Sequence, residues 1–415
     1  MTCPMWNHGL NDVEVEICFY RKVGELYILQ TENHMNSETT ASTELSKILV
    51  LCPHPDDFDV AAVTLRSFYR KGSDIYVAVA PTSSGVLDSF YDKPATAEQR
   101  IVTREGEQRD SMLCFGLEQA QFEFFPHSCD LDANGELAYS ETNMKLVEQC
   151  VFQQRPEAIF IPHPNDANPA HSAMYQMVKE VLLKNHLPVK LFKQMDPKTQ
   201  DLRIDAHTPM SDADMAWKAQ LFNFHKTQDH RNQTTRGITL AERILASNAA
   251  IAEVHKLSCP AAEAFEIEVF SDKFPVAVVT EYSDELFRAF ERLVPQLADI
   301  PVPTAEHLKA LVESSSSSLL VMRDSDSSQI MATVTVAEYL IPTGRRAWIE
   351  DVILDQEYRG RRLADKLMCA AEDFAASNGV ELMNLTSSPG RVAANRLYVK
   401  LGYELRETNA YRKDL

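Results

Sequence analysis

Apolar positions recur along the chain with two different periods, and the places where the period changes divide it. Within residues 1–45, "VEVEICFYRKVGELYILQ" alternates apolar and polar residues on both sides of Lys22–Gly24, the pattern of a β-hairpin, and the polar stretch "NSETTASTE" follows as a linker. From Lys47 the short apolar runs "KILVLC", "DIYVAVA" and "EAIFIP" alternate with segments of helical spacing, "AAVTLRSFYRKG", "TREGEQRDSMLCFG" and "AMYQMVKEVLLKN". Such alternation predicts a Rossmann-like parallel sheet covered on both faces. Around Phe270–Phe274 the pattern restarts with "AVVTEYS", two helical segments and the strands "SLLVMRD" and "QIMATVTVAEYL"; the serine run Ser314–Ser318 reads as a connection between helix and strand. The expected fold class is α/β in three parts: a hairpin extension over 1–45, a parallel-sheet domain over 46–272 and a mixed α/β domain over 273–415.

A length of 415 residues exceeds one typical core, which agrees with that division. The chain is 45% hydrophobic and 24% charged, and no apolar run is long enough to cross a bilayer. Its first residues, "MTCPMWNHGLNDVEVE", lack the basic start and apolar core of a signal peptide, so a cytoplasmic location is expected. Eight dispersed cysteines without a C-x-x-C pair predict buried thiols, not a disulfide framework or a zinc knuckle. The net charge of −19 argues against a nucleic-acid partner and leaves a small-molecule substrate or a local basic pocket.

Each predicted strand of the first domain ends in unusual chemistry: "PHPDD", "PTSSG" and "PHPNDANPAH". Ligands of open α/β sheets bind at the carboxyl ends of strands, so these loops are expected to converge. A catalytic metal commonly takes three protein ligands and keeps one position for water. His54, Asp57 and His171 supply such a set and leave Asp56 beside it as a base; the blander alternative is a capped strand end.

These residues closely resemble the PIG-L/LmbE-like family of metal-dependent N-acetyl-sugar deacetylases. The family's P-H-P-D-D stands intact at Pro53–Asp57, and Arg104, Glu107, Ser111, Phe115 and Gly116 follow its helix pattern. The third-strand loop is matched at Pro162, His163, Asp166, Pro169 and His171, and "KAQLFNFHKTQ" and "AEAFEIE" resemble later family segments, so the likeness runs over about residues 46–270. The resemblance implies a metal, usually zinc, on His54, Asp57 and His171, with Asp56 as general base. Two departures stand out: Asn168 replaces a histidine that assists the transition state, and Ala170 replaces the aspartate that supports it. Asn168 retains a hydrogen-bond donor for an oxyanion but cannot shuttle a proton, and His163 is the alternative helper or a loop-ordering histidine. Arg104 reads either as an exposed pair with Glu107 or as a contact to a sugar hydroxyl or phosphate. "FHKTQDHR" reads as a solvated helix end.

In the last 140 or so residues, "AWIEDVILDQEYRGRRLADKLMCAAEDFAASNG" ends a strand at Leu354 and opens a helix through a basic turn, an arrangement suited to a pyrophosphate. "LTSSPGRVAANRLYVKLGYEL" then supplies a strand, a break and a helix. This order resembles the GNAT superfamily of N-acyltransferases. Arg359, Gly360, Arg361, Arg362 and Ala364 meet its phosphate loop, with Arg362 in place of the central glycine, and Ala394, Leu397, Tyr398, Lys400, Gly402 and Tyr403 match its last helix. The resemblance implies acetyl-CoA or another acyl-CoA, bound by that loop, by Asn395 and by backbone groups of Val352 and Leu354. It implies Glu350 as base, with Asp351 competing, and Tyr398 as acid. Together the two resemblances predict removal of an acetyl group from an amino sugar and placement of an acyl group on an amine. The alternatives are an acyltransferase whose first domain only binds sugar around its metal, and a ligand sensor with two decayed sites.

Overall fold

The computed structural model describes residues 18–23, 26–30, 45–409, 411 and 413. The predicted linker at 36–44 and the hairpin turn at 24–25 lie outside the described residues. The chain forms two compact units, Met1–Lys184 with Pro188–Ser271, and Asn185–Leu187 with Asp272–Leu415.

In the first unit the elements follow as β1 (Cys18–Val23), β2 (Leu26–Gln30), β3 (Lys47–Cys52), α1 (Asp57–Val60), α2 (Ala62–Arg70), β4 (Asp74–Val79), α3 (Ala97–Phe115), β5 (Phe122–Phe124), α4 (Glu141–Gln154), β6 (Ala158–Pro162), α5 (Pro169–Asn185), β7 (Lys190–Gln194), β8 (Ala206–Met210), α6 (Asp212–Phe222), α7 (Lys226–Arg236), α8 (Leu240–Val254) and β9 (Ala261–Val269). The nine strands form one sheet in the order β2-β1-β8-β9-β7-β6-β3-β4-β5. Neighbours from β7 to β5 are parallel, as the apolar runs predict, and β1 and β2 pair antiparallel as the expected hairpin, whereas β9 and β8 are antiparallel strands that the helix-strand alternation does not announce and that join the hairpin to the sheet. β3 is buried from Ile48 to Cys52 because helices cover both its faces. Its core includes Phe58, Phe115, Phe160 and Phe265, and Phe160 stacks on Phe192 at 4.5 Å.

Two local features position the chemistry. β3 leads to β4 on one side and has β6 on the other, so the sheet's switch point opens a crevice at the ends of β3 and β6. α3 starts at a capping box of Thr96 and Gln99, ends at Gly116 in the left-handed region (φ 115°), and passes over that crevice.

The second unit contains β10 (Val276–Val278), α9 (Asp284–Leu297), α10 (Ala305–Val312), β11 (Ser317–Arg323), β12 (Ile330–Ile341), β13 (Gly344–Leu354), α11 (Leu363–Ser377), β14 (Leu382–Leu385) and α12 (Val392–Lys400). Its sheet runs β10-β11-β12-β13-β14, antiparallel except for β13 with β14. Against β12, the register of β13 gains one residue between Glu350 and Ile353, and Asp351 takes φ 49° at this bulge. Pairing of β13 with β14 stops at Ile349↔Leu385, which leaves the rest of β13 open on that side. Among the described residues no helix is long and apolar enough to cross a membrane.

Candidate metal centre and acyl-CoA site

β3 delivers the chain into residues 53–56 and directly into α1. Asp56 sits at the junction with φ 120°, a backbone conformation that costs a non-glycine residue on the order of 1–3 kcal/mol and persists only where its surroundings fix it. They do so here: the Asp56 N–H donates to Gln108 Oε1 at 2.7 Å, the His54 N–H to Asp57 Oδ2 at 2.8 Å, and Arg104 to the Pro55 carbonyl at 2.6 Å. Arg104 is therefore not half of an exposed pair. It is buried, 3.4 Å from the Asp56 carboxylate, while Glu107 accepts from the N–H and hydroxyl of Thr227.

His54, Asp57 and His171 are buried together, each with one ligand atom within 4.8 Å of the others'. His171 Nε2 lies 3.2 Å from His54 Nδ1 and 3.5 Å from Asp57 Oδ1. The outward nitrogens meet carboxylates: His54 Nε2 is 2.5 Å from Glu136, and His171 Nδ1 contacts Asp166. Burial would lower both imidazole pKa values, but Asp57 and these carboxylates raise them, to about 9 for His54 and about 10 for His171. Two imidazoles and a carboxylate, backed by carboxylates that fix each ring, form a donor set that fits a divalent cation of the zinc type.

A second layer holds α1 from beneath. Asp59, fully buried, accepts from Ser111 Oγ at 2.8 Å and meets His225 Nε2 at 2.6 Å, while Lys218 donates to the Val60 carbonyl and to Glu263, both at 2.6 Å. The "FHKTQDHR" stretch is thus not a solvated helix end at His225, whose ring is shielded completely. His163 is likewise not in the pocket: its Nδ1 accepts from the Asn165 N–H and its Nε2 lies 3.4 Å from Glu266, the loop-ordering arrangement.

One pocket joins His54, Asp56, Asp57, Asn168 and His171 with Ser84, Arg104 and Glu136, so the three strand-end loops do line a common crevice. Burial raises the Asp56 pKa against the pull of Arg104.

In the second unit the helix-opening turn runs from Arg359, which donates to the Leu354 carbonyl at 3.1 Å, through Gly360 (φ 80°) and Arg361, whose guanidinium lies 5.5 Å from the Tyr358 ring. Arg362 takes φ 57° at the N-terminus of α11, and no side chain caps that end, so the N–H groups around Ala364 face outward. Val352 and Leu354 lie on the part of β13 that β14 leaves open. Glu350 is exposed there, its pKa raised by partial burial and by Asp351, whereas Tyr398 is half-buried on α12, its pKa raised by burial. No hydrogen bond joins Glu350 to Tyr398. Asn395 donates to the carbonyls of Ser388 and Arg391 and so fixes the start of α12.

Residues 49–182 match the family model described as GlcNAc-PI de-N-acetylase (PIG-L), and residues 279–403 match the acetyltransferase (GNAT) family. The chain joins a PIG-L domain to a GNAT domain. No curated protein matches it significantly. Among solved structures it is similar to an aminoglycoside acetyltransferase from an uncultured soil metagenomic sample in complex with trehalose, at 18% identity and TM-score 0.31, covering 34% of this chain and 97% of that one. A glucosamine-6-phosphate N-acetyltransferase from Arabidopsis thaliana is 20% identical at TM-score 0.29, over 34% of this chain and 97% of its own.

The PIG-L domain's departures have a local explanation. Asn168 Oδ1 accepts from the Ala170 N–H at 3.0 Å, so the amide orients itself against its own backbone and needs no carboxylate at position 170. Its Nδ2 lies 3.2 Å from His54 Nε2, but with the His54 Nε2–H given to Glu136 no acceptor remains there for the amide. Its N–H groups are left to face the pocket. Sequence reasoning passed over Glu136 and Asp59; Glu136 stands in a Gly-containing turn with ordinary surface composition, and Asp59 lies just beyond the P-H-P-D-D motif. In the GNAT domain, the positive φ of Arg362 is the conformation for which the missing glycine is suited.

Proposed function

We propose that the chain remodels an N-acyl group, with the PIG-L domain hydrolysing the acetamide of an N-acetyl amino sugar and the GNAT domain transferring an acyl group from acyl-CoA to an amine. The observation that carries the first half is the buried His54, Asp57 and His171 set with Asp56 beside it in one pocket. When bound there, a divalent metal such as zinc lowers the pKa of its water and polarises the amide carbonyl. Asp56 accepts the proton of the attacking water, helped by its raised pKa, and returns it to the departing amine. Asn168 donates from Nδ2 to the developing oxyanion, a contribution worth about 10²–10³-fold in rate at comparable positions. Arg104 keeps Asp56 in place by clamping Pro55.

In the GNAT domain, the uncapped start of α11 with Arg359, Gly360, Arg361, Arg362 and Ala364 receives the CoA phosphates, and the open edge at Val352 and Leu354 receives the pantetheine arm. Glu350 takes a proton from the amine and Tyr398 gives one to the leaving thiolate.

The deciding experiment uses the zinc-loaded full chain, a panel of N-acetylhexosamine compounds and acetyl-CoA. Acetate release that disappears in Asp56→Asn, with CoA release from an amine preserved, is the expected result. Acyl transfer with no acetate released from any sugar leaves the first domain as a metal-stabilised binding module.

A further inference from the structure

Three side chains on successive turns of one face of α3 hold the loop that carries Asp56. Arg104 donates to the Pro55 carbonyl at 2.6 Å, Gln108 Oε1 accepts from the Asp56 N–H at 2.7 Å, and Ser111 Oγ donates to Asp59 at 2.8 Å. Of the three, Gln108 is the one that bonds the backbone of Asp56, the residue held at φ 120°.

What Gln108 can do depends on which way its amide faces. The two ends of a glutamine amide have nearly the same shape, but only the oxygen accepts an N–H. The far end of the amide decides the matter: Gln108 Nε2 lies 3.4 Å from Asp59 Oδ2. Asp59 is fully buried with donors around its carboxylate, Ser111 at Oδ1 and His225 Nε2 at Oδ2, the latter at 2.6 Å. A carboxylate only accepts, so the reversed amide would set its oxygen against Asp59 and its NH2 against the Asp56 N–H. Both contacts would repel, and no water relieves them, because Gln108 is itself 0% exposed. His225 serves the same carboxylate. Its Nε2 is committed to Asp59, while its buried Nδ1 has no hydrogen-bond partner among the described residues.

We infer that Gln108 is a positioning residue for Asp56, and that Asp59, paired with His225, fixes the one amide orientation in which Gln108 can act. The inference rests on the deacetylase reading, in which Asp56 is the base. With its N–H held inward, Asp56 keeps its carboxylate in the crevice beside Arg104. Without that bond the strained backbone relaxes and moves the carboxylate, and a misplacement of about 1 Å is worth about 10²-fold in rate. Asp57 has holds of its own: its Oδ2 accepts from the His54 N–H, and its carbonyl accepts from Gln194 Nε2 at 2.6 Å. Metal affinity should therefore not follow the rate.

Gln108→Met keeps the length of the side chain and removes both bonds. In the zinc-loaded full chain, kcat for acetate release should fall about 10²-fold, with KM and zinc affinity within about threefold of wild type. Retained zinc affinity also shows that the first unit is folded. Gln108→Glu is the conservative variant: a carboxyl group against Asp59 takes up a proton, donates to Asp59 and accepts from Asp56, so most of the rate should return. Amide hydrogen exchange gives a readout independent of turnover. Protection of the Asp56 N–H should fall about tenfold or more in Gln108→Met and several-fold in Asp59→Asn, and should hold in Gln108→Glu. If Gln108→Met does not fold, the exchange of Asp59→Asn decides. Unchanged Asp56 exchange, an unchanged kcat in Gln108→Met, or zinc affinity lost in step with the rate overturns the inference. Exchange that behaves as expected in a chain releasing no acetate overturns the hydrolytic reading alone.

Discussion

The two domains place their candidate chemistry at the same kind of position, the end of a sheet strand where a helix begins, yet build it by opposite means. In the PIG-L domain the site consists of side chains: His54, Asp57 and His171 are buried, and Glu136, Asp166 and Gln108 hold the residues around them. In the GNAT domain it is largely backbone: the uncapped start of α11 and the edge of β13 that β14 abandons. A site made of buried, mutually charged side chains fails when one member is removed, because the rest are left unpaired in a low dielectric. A site made of N–H and C=O groups keeps most of its binding through any single side-chain change. The domains should therefore differ in their sensitivity to substitution, and five substitutions test that difference.

The largest effect is expected from Asp57→Ala. It removes a carboxylate from a donor set of three and leaves two imidazoles facing each other across 3.2 Å, so metal uptake and acetate release should both be lost. Acyl transfer should be unchanged, because Asp57 belongs to the first compact unit. Metal content by plasma mass spectrometry beside the two activity assays checks this. Loss of both activities together would break the picture of independent sites.

Glu350→Gln is the sharpest test on the other side. If Glu350 is the base, acyl transfer falls by about 10²–10⁴-fold while CoA binding holds. The pH dependence adds a sign. A base works deprotonated, and partial burial and Asp351 raise the Glu350 pKa, so wild-type transfer should be lost as pH falls through a value above that of an ordinary glutamate. Asp351→Asn removes one of the raising charges and should move that limb to lower pH. A limb that stays in place in both variants would assign the base elsewhere.

A smaller effect is expected from Glu136→Gln. The substitution keeps the shape but weakens the grip on His54 Nε2, and outer contacts of this kind are worth about 10–100-fold in metal affinity. Competition with a chelator measures it. An unchanged metal affinity would mean that the first site tolerates loss of an orienting carboxylate as readily as the second tolerates loss of a side chain.

How much of each site could be read in the sequence follows from the same contrast. The parallel strands β3, β4 and β6 and the "PHPDD" loop were legible because buried strands and metal ligands draw on few residue types. Glu136 was not, since what selects it is the fold of its turn onto Thr82 and Ser83, and a glutamate in a polar loop carries no pattern. Strands β8 and β9 escaped for a related reason: "AHTPM" is too short and mixed to stand out, and an antiparallel edge needs no crossover helix to mark it. His225 was misread because local polarity says nothing of Asp59, which meets it from 166 residues away in the chain. In the GNAT domain the order of strand, basic turn and helix was legible, while the bulge at Asp351 depends on pairing with β12 and left no local trace.

Arg362→Gly carries the smallest expected effect and joins both lines of reasoning. Arg362 holds φ 57°, a conformation that costs a residue with a Cβ roughly 1–2 kcal/mol and glycine almost nothing. Its contact with Asp365 is 3.6 Å and partly exposed, which is worth little. Glycine also loses more backbone freedom on folding, so the net gain in stability should be about 0.5–1 kcal/mol, read as a higher urea midpoint. If the chain keeps arginine there for its charge, the more stable variant should bind acetyl-CoA several-fold more weakly, with a raised KM and an unchanged kcat. A variant that is both more stable and equally tight would show that the backbone of α11 alone holds the phosphates, which is the extreme form of the contrast between the two sites.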